Sequence, residues 1–385
     1  MKVLHLCLAS FYPDGYTYQE NLLPKFHKQL GYEVEVIASL QSFDSNGNPS
    51  YMEKAMVYNN EYDIKVTRLD YLLNNPLYKK IKKYKSTYSS IKKANPDIIF
   101  VHGCQFLDIK CVVKYAKLHP NVKVFVDNHA DFSNSATNFL STNILHKFLW
   151  KYCAQSILPY VEKFYGVLPA RVEFLHNIYK IPRNKIELLV MGADDNLVKK
   201  YSSEEVKNVV RKEYEIENDD FLLLFGGKID LFKQEILLLM DAVNELCNDK
   251  IKLIVFGSVV PEMKEDIIAR TSKNVKYIGW KQSEESFPLY AAANLVVFPG
   301  RHSVFWEQVA GQGIPMLVKY WDGTTHVDLG GNVKFLYNDS KEEIKEKILE
   351  IMEPKTYSEM KKIAVEKGMK EFSYLDIAKR SIEKE

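Results

Sequence analysis

The sequence lacks several features that would assign it to a protein class at once. No apolar run approaches the ~20 residues that a membrane-spanning helix requires, so we expect any membrane contact to be peripheral. The five cysteines, at positions 7, 104, 111, 153 and 247, include no Cys-x-x-Cys pair, which argues against a disulfide framework and a structural zinc site. This cysteine usage fits a reducing compartment, and we predict a cytoplasmic protein.

Two common nucleotide-binding motifs are missing as well. The chain contains neither Gly-x-Gly-x-x-Gly nor the phosphate-loop pattern, which disfavours a dinucleotide dehydrogenase and a nucleotide hydrolase. Its 52 basic residues nearly balance 50 acidic ones, for a net charge of +2. A nucleic-acid binder needs a concentrated positive field, so we expect no nucleic-acid partner.

The remaining composition and the periodicity indicate two α/β domains. The chain has 385 residues, of which 46% are hydrophobic and 26% charged, a size and composition that suit two packed cores. Short β-branched runs alternate with helical patterns in both halves, as in parallel sheets. Predicted strands cover residues 3–8, 34–38, 64–69, 97–102, 122–126, 165–168, 186–190, 221–225, 252–256, 275–278, 295–298 and 316–319. We therefore predict two Rossmann-like, doubly wound domains, at 1–195 and 196–370.

Loops at the carboxyl ends of these strands are where a parallel sheet binds ligands. After the first strand, Gly15 can adopt positive φ and let backbone approach a phosphate, or can form a simple tight turn. The second half opens with a strand followed by Gly226-Gly227-Lys228-Ile229-Asp230-Leu231-Phe232-Lys233. Lys228 and Lys233 can converge on one diphosphate near a helix start. Two solvated surface lysines beside a turn are the alternative.

Two further loops carry polar side chains. His129, in the segment 127–131, can hydrogen-bond a sugar or take a proton near neutral pH, or can be a loop histidine satisfied by a neighbouring aspartate. In the segment 298–315, backbone N–H groups at a helix start can bind phosphate. Glu307 in that segment can accept hydrogen bonds from ribose hydroxyls, or can serve as a plain acidic residue at the helix N-terminus.

These segments, in this order, resemble the retaining glycosyltransferases of the GT-B group often called family 4, over most of the chain. In that family a Gly-Arg-Leu run and a lysine five residues later hold the donor diphosphate, and Gly227-Lys228-Ile229 with Lys233 stands in those places. Phe372-Ser373-Tyr374 resembles the turn before a terminal helix, here 371–385, that returns to the first domain. The resemblance implies two Rossmann-like domains facing a cleft.

The acidic motif departs from the family pattern, which usually has two glutamates separated by seven residues. Here the loop is shorter, and counting back from Gly313-Ile314-Pro315 puts Gln308 on the second glutamate, one residue from Glu307. Gln234 also replaces the glycine that usually follows the lysine. We predict Glu307 as the ribose ligand, with Gln308 as the other candidate.

The resemblance also implies a reaction and a role for each site residue. A sugar moves from a nucleotide diphosphate donor to a hydroxyl acceptor on a surface or lipid-linked glycan, with retention, no metal and no cofactor. His129 would contact the sugar and Ser303 with its neighbours the distal phosphate, while Trp280 would lie near the base. The implied catalytic residues are His129, Lys228 and Lys233; the implied donor-binding residues are Gly15, Gly227, Lys228, Lys233, Trp280, His302, Ser303 and Glu307.

Two other functions remain open from the sequence. A nucleotide-sugar 2-epimerase would share the fold and could use the polar segment 127–131 for proton abstraction. A non-catalytic sugar-binding relative would explain the altered acidic motif. These alternatives differ in their products, because transfer releases nucleotide diphosphate and epimerisation does not.

A lysine-rich stretch in the first half suggests a membrane contact. Apolar residues recur there at helical spacing, at Leu77, Ile81, Tyr84, Tyr88 and Ile91. We predict one amphipathic helix whose apolar stripe packs on the sheet. Its lysines can dock weakly on an anionic leaflet, where each contributes ~1 kcal/mol, and this gives the hypothesis of a peripheral site on the inner face of the membrane.

Overall fold

A computed structural model describes residues 1–43, 49–136, 138–139 and 141–383. The chain forms two compact units: Met1–Val190 with Ile377–Glu385, called unit 1, and Met191–Asp376, called unit 2. Residues 384 and 385 of the predicted terminal segment lie outside the described residues. Of the described helices, none is both long enough and apolar enough to cross a membrane.

Unit 1 is built on an eight-stranded sheet, counted over the described residues. The strands of this unit are β1 Lys2–Cys7, β2 Glu33–Ala38, β3 Gln41–Phe43, β4 Pro49–Tyr51, β5 Val57–Asn59, β6 Lys65–Arg68, β7 Ile98–His102, β8 Lys123–Asn128, β9 Val161–Gly166 and β10 Ile186–Leu188. The sheet order is β10-β9-β8-β7-β1-β2-β6-β5, while β3 and β4 form a separate antiparallel pair. All neighbours in the large sheet are parallel except β5 and β6.

Helices cover both faces of this sheet, as expected for a sheet whose central strand is buried along its whole length. Every residue of β7 is buried, which is typical of a parallel strand covered on both faces. The helical segments before the second unit are α1 Gln19–Gln29, α2 Pro76–Ile81, α3 Thr87–Ala94, α4 Ile109–Leu118, a π-helix Ser141–Trp150, α5 Lys151–Ile157 and α6 Pro169–Asn177, with short 3₁₀ turns at Leu158–Tyr160 and Arg183–Lys185.

Unit 2 repeats the architecture with a six-stranded parallel sheet over the described residues. Its strands are β11 Phe221–Gly226, β12 Ile251–Phe256, β13 Val275–Tyr277, β14 Leu295–Phe298, β15 Met316–Lys319 and β16 Val333–Leu336, in the order β13-β12-β11-β14-β15-β16. The remaining α-helices are α7 Asp195–Tyr201, α8 Glu204–Glu213, α9 Glu235–Glu245, α10 Lys264–Ala269, α11 Ser286–Ala292, α12 Phe305–Gly311, α13 Lys341–Met352, α14 Pro354–Ile363, α15 Met369–Glu371 and α16 Tyr374–Ile382, with a π-helix at Ala364–Gly368 and short 3₁₀ turns at Pro261–Met263 and Thr325–Val327.

The terminal helix α16 returns to unit 1. The turn before it is held in unit 2, where the Ala193 N–H donates to the Phe372 carbonyl at 2.8 Å and the Tyr374 N–H donates to the Ala193 carbonyl at 3.2 Å. From Ile377 onward the residues belong to unit 1. The Tyr165 hydroxyl donates to the Arg380 carbonyl there, at 3.2 Å.

The predicted α/β architecture is confirmed, and each predicted strand overlaps an observed one. The strands that prediction missed are β3, β4, β5 and β16, which have three or four residues and carry no fully buried apolar run. β9 begins at Val161, four residues before its predicted start. The prediction started late because the polar residues Glu162 and Lys163 interrupt the apolar pattern of this strand.

The predicted single helix from Leu77 to Ile91 is wrong. α2 ends at Ile81, and Lys82 and Ser86 adopt left-handed conformations with φ of 53° and 62°, which few L-residues tolerate within a helix. Leu77 is exposed, so it does not pack on the sheet. The Lys82 ammonium donates to the Ala9 carbonyl, and burial lowers its pKa to about 8, so Lys82 is a structural residue and not surface charge.

Candidate active site

The glycine loop after β11 is fixed by close backbone packing in unit 2. Gly227 has a φ of +140°, a conformation that side-chain-bearing residues rarely adopt. A Cβ on the neighbouring Gly257 would collide with the Gly227 carbonyl. The Ile229 N–H then donates to the Ser258 carbonyl at 2.8 Å. The two adjacent strand ends therefore hold one narrow loop, and both glycines have a structural reason to be there.

Lys228 and Lys233 lie on this loop in different environments. Lys228 is largely exposed, and its Nζ lies 3.6 Å from Asp230 Oδ2. Lys233 is half-buried, and burial lowers its pKa while Asp230 opposes that shift. The loop presents two cations, one of which is already partly desolvated. Such a cation interacts more strongly with an anion than a solvated one does.

The loop after β14 meets the glycine loop. Ser303 Oγ lies 3.9 Å from the position of a Cβ on Gly227, and Lys233 Cα lies 3.7 Å from the equivalent position on Gly300. Phe298, Gly300 and Ser303 line a small pocket together with Lys233. The predicted residues Gly227, Lys233 and Ser303 are therefore neighbours, as expected from strands β11 and β14, which pair in the sheet.

Glu307, in the first turn of α12, is a fully buried carboxylate held by two histidines. Its Oε1 accepts hydrogen bonds from His302 Nε2 and His326 Nε2, both at 2.8 Å. Burial alone would raise the pKa of Glu307, but the two histidines hold it at about 2. Its Oε2 is buried with no hydrogen-bond partner among the described residues. The carboxylate is ionised and retains one unused acceptor.

Gln308 has different partners from those of Glu307. Gln308 Nε2 donates to Ser286 Oγ at 2.9 Å and to Gln312 Oε1 at 3.3 Å. Ser286 opens α11, so Gln308 fastens α12 to a neighbouring helix, while Glu307 contacts the predicted site residue His302.

Sequence reasoning missed His326. It lies in a short 3₁₀ turn, Thr325–Val327, after β15, and no motif surrounds it. The only available signal was a polar residue beyond the carboxyl end of a parallel strand, the same rule that selected the other loops.

Trp280 lies apart from these loops, beyond the edge strand β13. It is 65% exposed, and β12 separates β13 from β11 in the sheet. Gly279 precedes it with φ of +77°. Most of the Trp280 side chain is therefore not packed against the sheet.

In unit 1, Gly15 forms an exposed turn with φ of +76°. Its N–H donates to Glu61 Oε1 at 2.9 Å. A phosphate would have to displace this carboxylate from the Gly15 N–H, so the contact favours the turn interpretation.

His129 lies beside a second buried carboxylate, Asp127, at the end of β8. His129 Nε2 is 3.3 Å from Asp127 Oδ2, and the His129 side chain is 28% exposed. Burial would lower the pKa of His129, but Asp127 and Glu20 raise it above its usual value. Asp131 is not its partner, because Asp131 Oδ2 accepts from Arg171 Nε at 3.1 Å. His129 is therefore a partly exposed imidazole whose Nε2 faces a fixed carboxylate.

Asp127 is itself held by residues that sequence reasoning missed. Its Oδ2 accepts from His102 Nδ1 at 2.9 Å, and its Oδ1 accepts from the Gly103 N–H at 3.0 Å. Despite burial, His129 and His102 hold the pKa of Asp127 well below its usual range. The signal for His102 was its place at the end of β7, which pairs with β8.

Two groups of side chains bring metal-binding atom types within 4.8 Å of one another: Glu20, His102 and His129 in unit 1, and His302, Glu307 and His326 in unit 2. Both ring nitrogens of His102 are already hydrogen-bonded, so the first group does not present three free donors. The second group retains a free carboxylate oxygen. The sequence predicts no metal, and that prediction stays open.

Comparisons with known proteins identify the fold. No protein-family model matches the sequence, and no curated protein matches it significantly. Solved structures do match over nearly the whole chain. A glycosyltransferase from Rickettsia africae is 14% identical with a TM-score of 0.67, over 99% of this chain and 96% of that one. HepE from Anabaena, solved in complex with UDP, is 16% identical with a TM-score of 0.67, over 99% and 98%.

A UDP-GlcNAc 2-epimerase from Neisseria meningitidis, bound to UDP-GlcNAc, is 15% identical with a TM-score of 0.63, over 99% of each chain. At these identities the likeness shows the fold. The chain has the GT-B fold of two Rossmann-like domains that the sequence motifs predict, and both a transferase and an epimerase are among the proteins that share it.

Proposed function

We propose that this GT-B chain is a retaining glycosyltransferase, which moves a sugar from a nucleotide diphosphate sugar to a hydroxyl acceptor. One observation carries the proposal: Lys233, Gly227 and Ser303 converge at the carboxyl ends of two paired strands, β11 and β14. That edge of the sheet is where open α/β folds bind ligands. HepE, which shares the fold, was solved with UDP.

In this proposal Lys228 and Lys233 hold the diphosphate. The bond between the anomeric carbon and the diphosphate oxygen breaks, and the acceptor oxygen bonds to the same face of that carbon while its proton passes to the leaving diphosphate oxygen or to His129. Negative charge then develops on the diphosphate, and fixed cations stabilise that charge more in the transition state than in the ground state. Ser303 and the start of α12 contact the distal phosphate.

The lysines replace a metal in this mechanism. We expect a chelator to leave turnover unchanged, because the two ammonium groups supply the charge that a divalent ion would otherwise provide. Complete inhibition that added metal reverses would instead point to His302, Glu307 and His326, whose donor atoms cluster in unit 2.

Glu307 binds the ribose in this proposal. Its Oε2 is a buried acceptor without a partner among the described residues, and a ribose hydroxyl can donate to it. His302 donates to the carboxylate and retains 14% side-chain exposure, so we expect nucleotide binding to turn His302 aside. Trp280, exposed beyond β13, offers a flat apolar surface for the base.

His129 contacts the transferred sugar. Asp127 fixes its ring and raises its basicity, which suits a group that bonds a sugar hydroxyl or receives the proton of the acceptor. His129→Ala should therefore slow transfer and spare the affinity for free nucleotide diphosphate.

The acceptor is a surface or lipid-linked glycan, reached at the inner face of the membrane. Lys79, Lys80 and Lys83 remain candidates for a salt-sensitive contact with anionic lipid, whereas Lys82 donates to a main-chain carbonyl. Replacing Lys79, Lys80 and Lys83 with glutamate should abolish co-sedimentation of the protein with anionic liposomes at low salt. Absence of co-sedimentation by the wild type would favour a soluble acceptor.

A 2-epimerase is the alternative with specific support, because a UDP-GlcNAc 2-epimerase shares the fold and Asp127 with His129 forms an acid–base pair. The deciding experiment screens nucleotide sugars for binding by thermal shift and then analyses the products of the donor that binds. Free nucleotide diphosphate supports transfer. An epimeric nucleotide sugar would overturn the proposal, and binding without any turnover would favour a non-catalytic sugar-binding protein.

A further inference from the structure

Three buried histidines form one continuous hydrogen-bonded chain behind Asp127. His102 Nδ1 lies 2.9 Å from Asp127 Oδ2, and His102 Nε2 lies 3.0 Å from His5 Nδ1. His5 Nε2 lies 3.0 Å from His27 Nδ1, and His27 Nε2 lies 2.9 Å from the Ala378 carbonyl. All four ionisable side chains are fully buried. The chain connects β8, β7, β1, α1 and α16, in that order.

The number of protons in this chain is constrained by its ends. A carboxylate stands at one end and a main-chain carbonyl at the other, and both accept hydrogen bonds. The four contacts between them need four protons, one each. Three neutral imidazoles supply only three, because a neutral imidazole donates through one nitrogen and accepts through the other. If all four contacts are hydrogen bonds, the chain holds one additional proton.

Ser381 offers the only competing arrangement within the described residues. Its Oγ lies 3.0 Å from His27 Nε2, and it could donate a proton there. That hydroxyl also donates to the Ala378 carbonyl at 2.9 Å. If the Ser381 hydroxyl donated to His27 instead, His27 Nε2 would be unprotonated and would face the Ala378 carbonyl at 2.9 Å. Both of these atoms are acceptors, so their contact would be repulsive.

The surroundings favour the additional proton at the Asp127 end. Burial lowers the pKa of His5 well below its usual value and that of His27 to about 4, so those rings stay neutral. His102 touches the Asp127 carboxylate directly, where a cation would be paired and not isolated in a low-dielectric interior.

Among the described residues, five other charged or titratable groups interact electrostatically with Asp127 or with His129. They are Cys7 on β1, Glu20 on α1, Cys104 after β7, His129 after β8 and Arg171 on α6. Of these, Glu20 is the nearby acid, and His129 is the base that shares the Asp127 carboxylate.

We propose that His5, His27 and His102 are positioning residues that hold one shared proton against Asp127 and so set the basicity of His129. The far end of the chain is closed by buried groups of the segment 377–382, and His5, His27 and Ser381 are fully buried. The chain therefore stores a proton and does not conduct one to solvent along these residues. Only the consequence for turnover rests on the proposed function, since the proton and the tautomers belong to the protein alone.

The arrangement has a spectroscopic signature, because ring tautomers can be measured but not read from heavy-atom positions. In the wild-type protein without ligand, long-range ¹H–¹⁵N correlation spectra should show His5 and His27 protonated at Nε2 and not at Nδ1. Both nitrogens of His102 should carry a proton, shared in part with Asp127. Protonation of His5 and His27 at Nδ1 would overturn the proposal, since it is the pattern of the Ser381 arrangement.

A variant series tests the effect on His129. His5→Phe removes the middle of the chain, so His102 loses the acceptor that stabilises the additional proton. Asp127 then faces His129 without that compensating charge, and the midpoint of the His129 titration should rise by roughly one pH unit, the lower end of the range for a nearby opposite charge. His27→Phe should act in the same direction. His119→Phe is the control, because His119 is exposed in unit 1 and outside the chain.

An unchanged His129 midpoint in folded His5→Phe and His27→Phe would show that the histidines only fill space, and would overturn the proposal. If those variants do not fold, the tautomers of the wild type decide alone. Neither measurement requires a substrate, so a failure of the proposed function would leave both readouts intact.

Discussion

The two units each bury one carboxylate between two histidines, and the two carboxylates are used differently. Asp127 in unit 1 has both oxygens engaged, by His102 and the Gly103 N–H. Glu307 in unit 2 accepts both of its hydrogen bonds on one oxygen and leaves the other buried without a partner among the described residues. A fully satisfied buried carboxylate holds structure together, whereas an unsatisfied one has capacity left for a ligand.

The largest effect should come from removing the charge of the satisfied carboxylate. Asp127→Asn leaves His102 and His129 without their anionic partner, and breaking a buried charge pair costs roughly 3–5 kcal/mol. Urea unfolding should show a loss of that order. Glu307→Gln should lose less, because one glutamine oxygen can still accept from both His302 and His326, whereas an asparagine at 127 must turn its NH2 group toward a donor. Equal losses of unfolding free energy in the two variants would contradict the claim that the two carboxylates differ in their structural role.

The next effect concerns the two lysines of the glycine loop, Lys228 and Lys233. Lys233→Ala and Lys228→Ala should each lower kcat by roughly 10² to 10³, the scale for removing one preorganised stabiliser of developing charge. Thermal unfolding should be close to that of the wild type. Lys264→Ala is the matched control, because Lys264 is an exposed lysine of the same unit. Normal turnover in both variants would remove the diphosphate assignment.

Nucleotide affinity should depend on Glu307, whose Oε2 has no partner among the described residues. A hydrogen bond to a charged group contributes about 1.5–3 kcal/mol, so Glu307→Gln should weaken binding of nucleotide diphosphate by roughly tenfold to a hundredfold. Gln308→Glu should weaken it less, because Gln308 bonds Ser286 on α11. Isothermal titration calorimetry measures both, and the reverse order would move the ribose contact to Gln308.

A further effect should appear in acid. The pKa of Glu307 is lowered to about 2 in the folded protein, so the unfolded chain binds its proton first as pH falls. Glu307 therefore contributes stability that is complete above about pH 4.5, the ordinary value, and is lost toward pH 2. Glu307→Gln should flatten the stability profile of unit 2 across that window. A profile identical to that of the wild type would contradict the lowered pKa.

Sequence patterns predicted the parts of this molecule that depend on local order. The strand at β11 follows from an unbroken apolar run, and the meeting of Lys233, Gly227 and Ser303 follows from the rule that parallel strands place their loops at one edge. His326 and His102 reach their carboxylates only through tertiary folding, from loops or strands with no motif around them. The spacing of residues along the sequence therefore does not predict these two histidine–carboxylate contacts.

The wrong helix between residues 77 and 91 has a similar cause. Apolar residues there do recur at helical spacing, but local periodicity is a weak prior where tertiary contacts compete. The chain leaves the helical path at Lys82, whose ammonium donates to a main-chain carbonyl, and Tyr84 pairs with Tyr71 in an isolated bridge. As a result, Leu77 is exposed and does not pack on the sheet as predicted.

The path of the chain between the units has a consequence for biosynthesis. Unit 2 is a continuous segment, Met191–Asp376, inserted into unit 1, whose last part begins at Ile377. During translation, the whole of unit 2 is therefore synthesised before the residues of unit 1 that meet His27, at the Ala378 carbonyl. A chain truncated after residue 376 would hold every residue of the second unit and an unfinished first one. The first unit is thus completed last, the reverse of the N-terminal-first order usual for multidomain proteins.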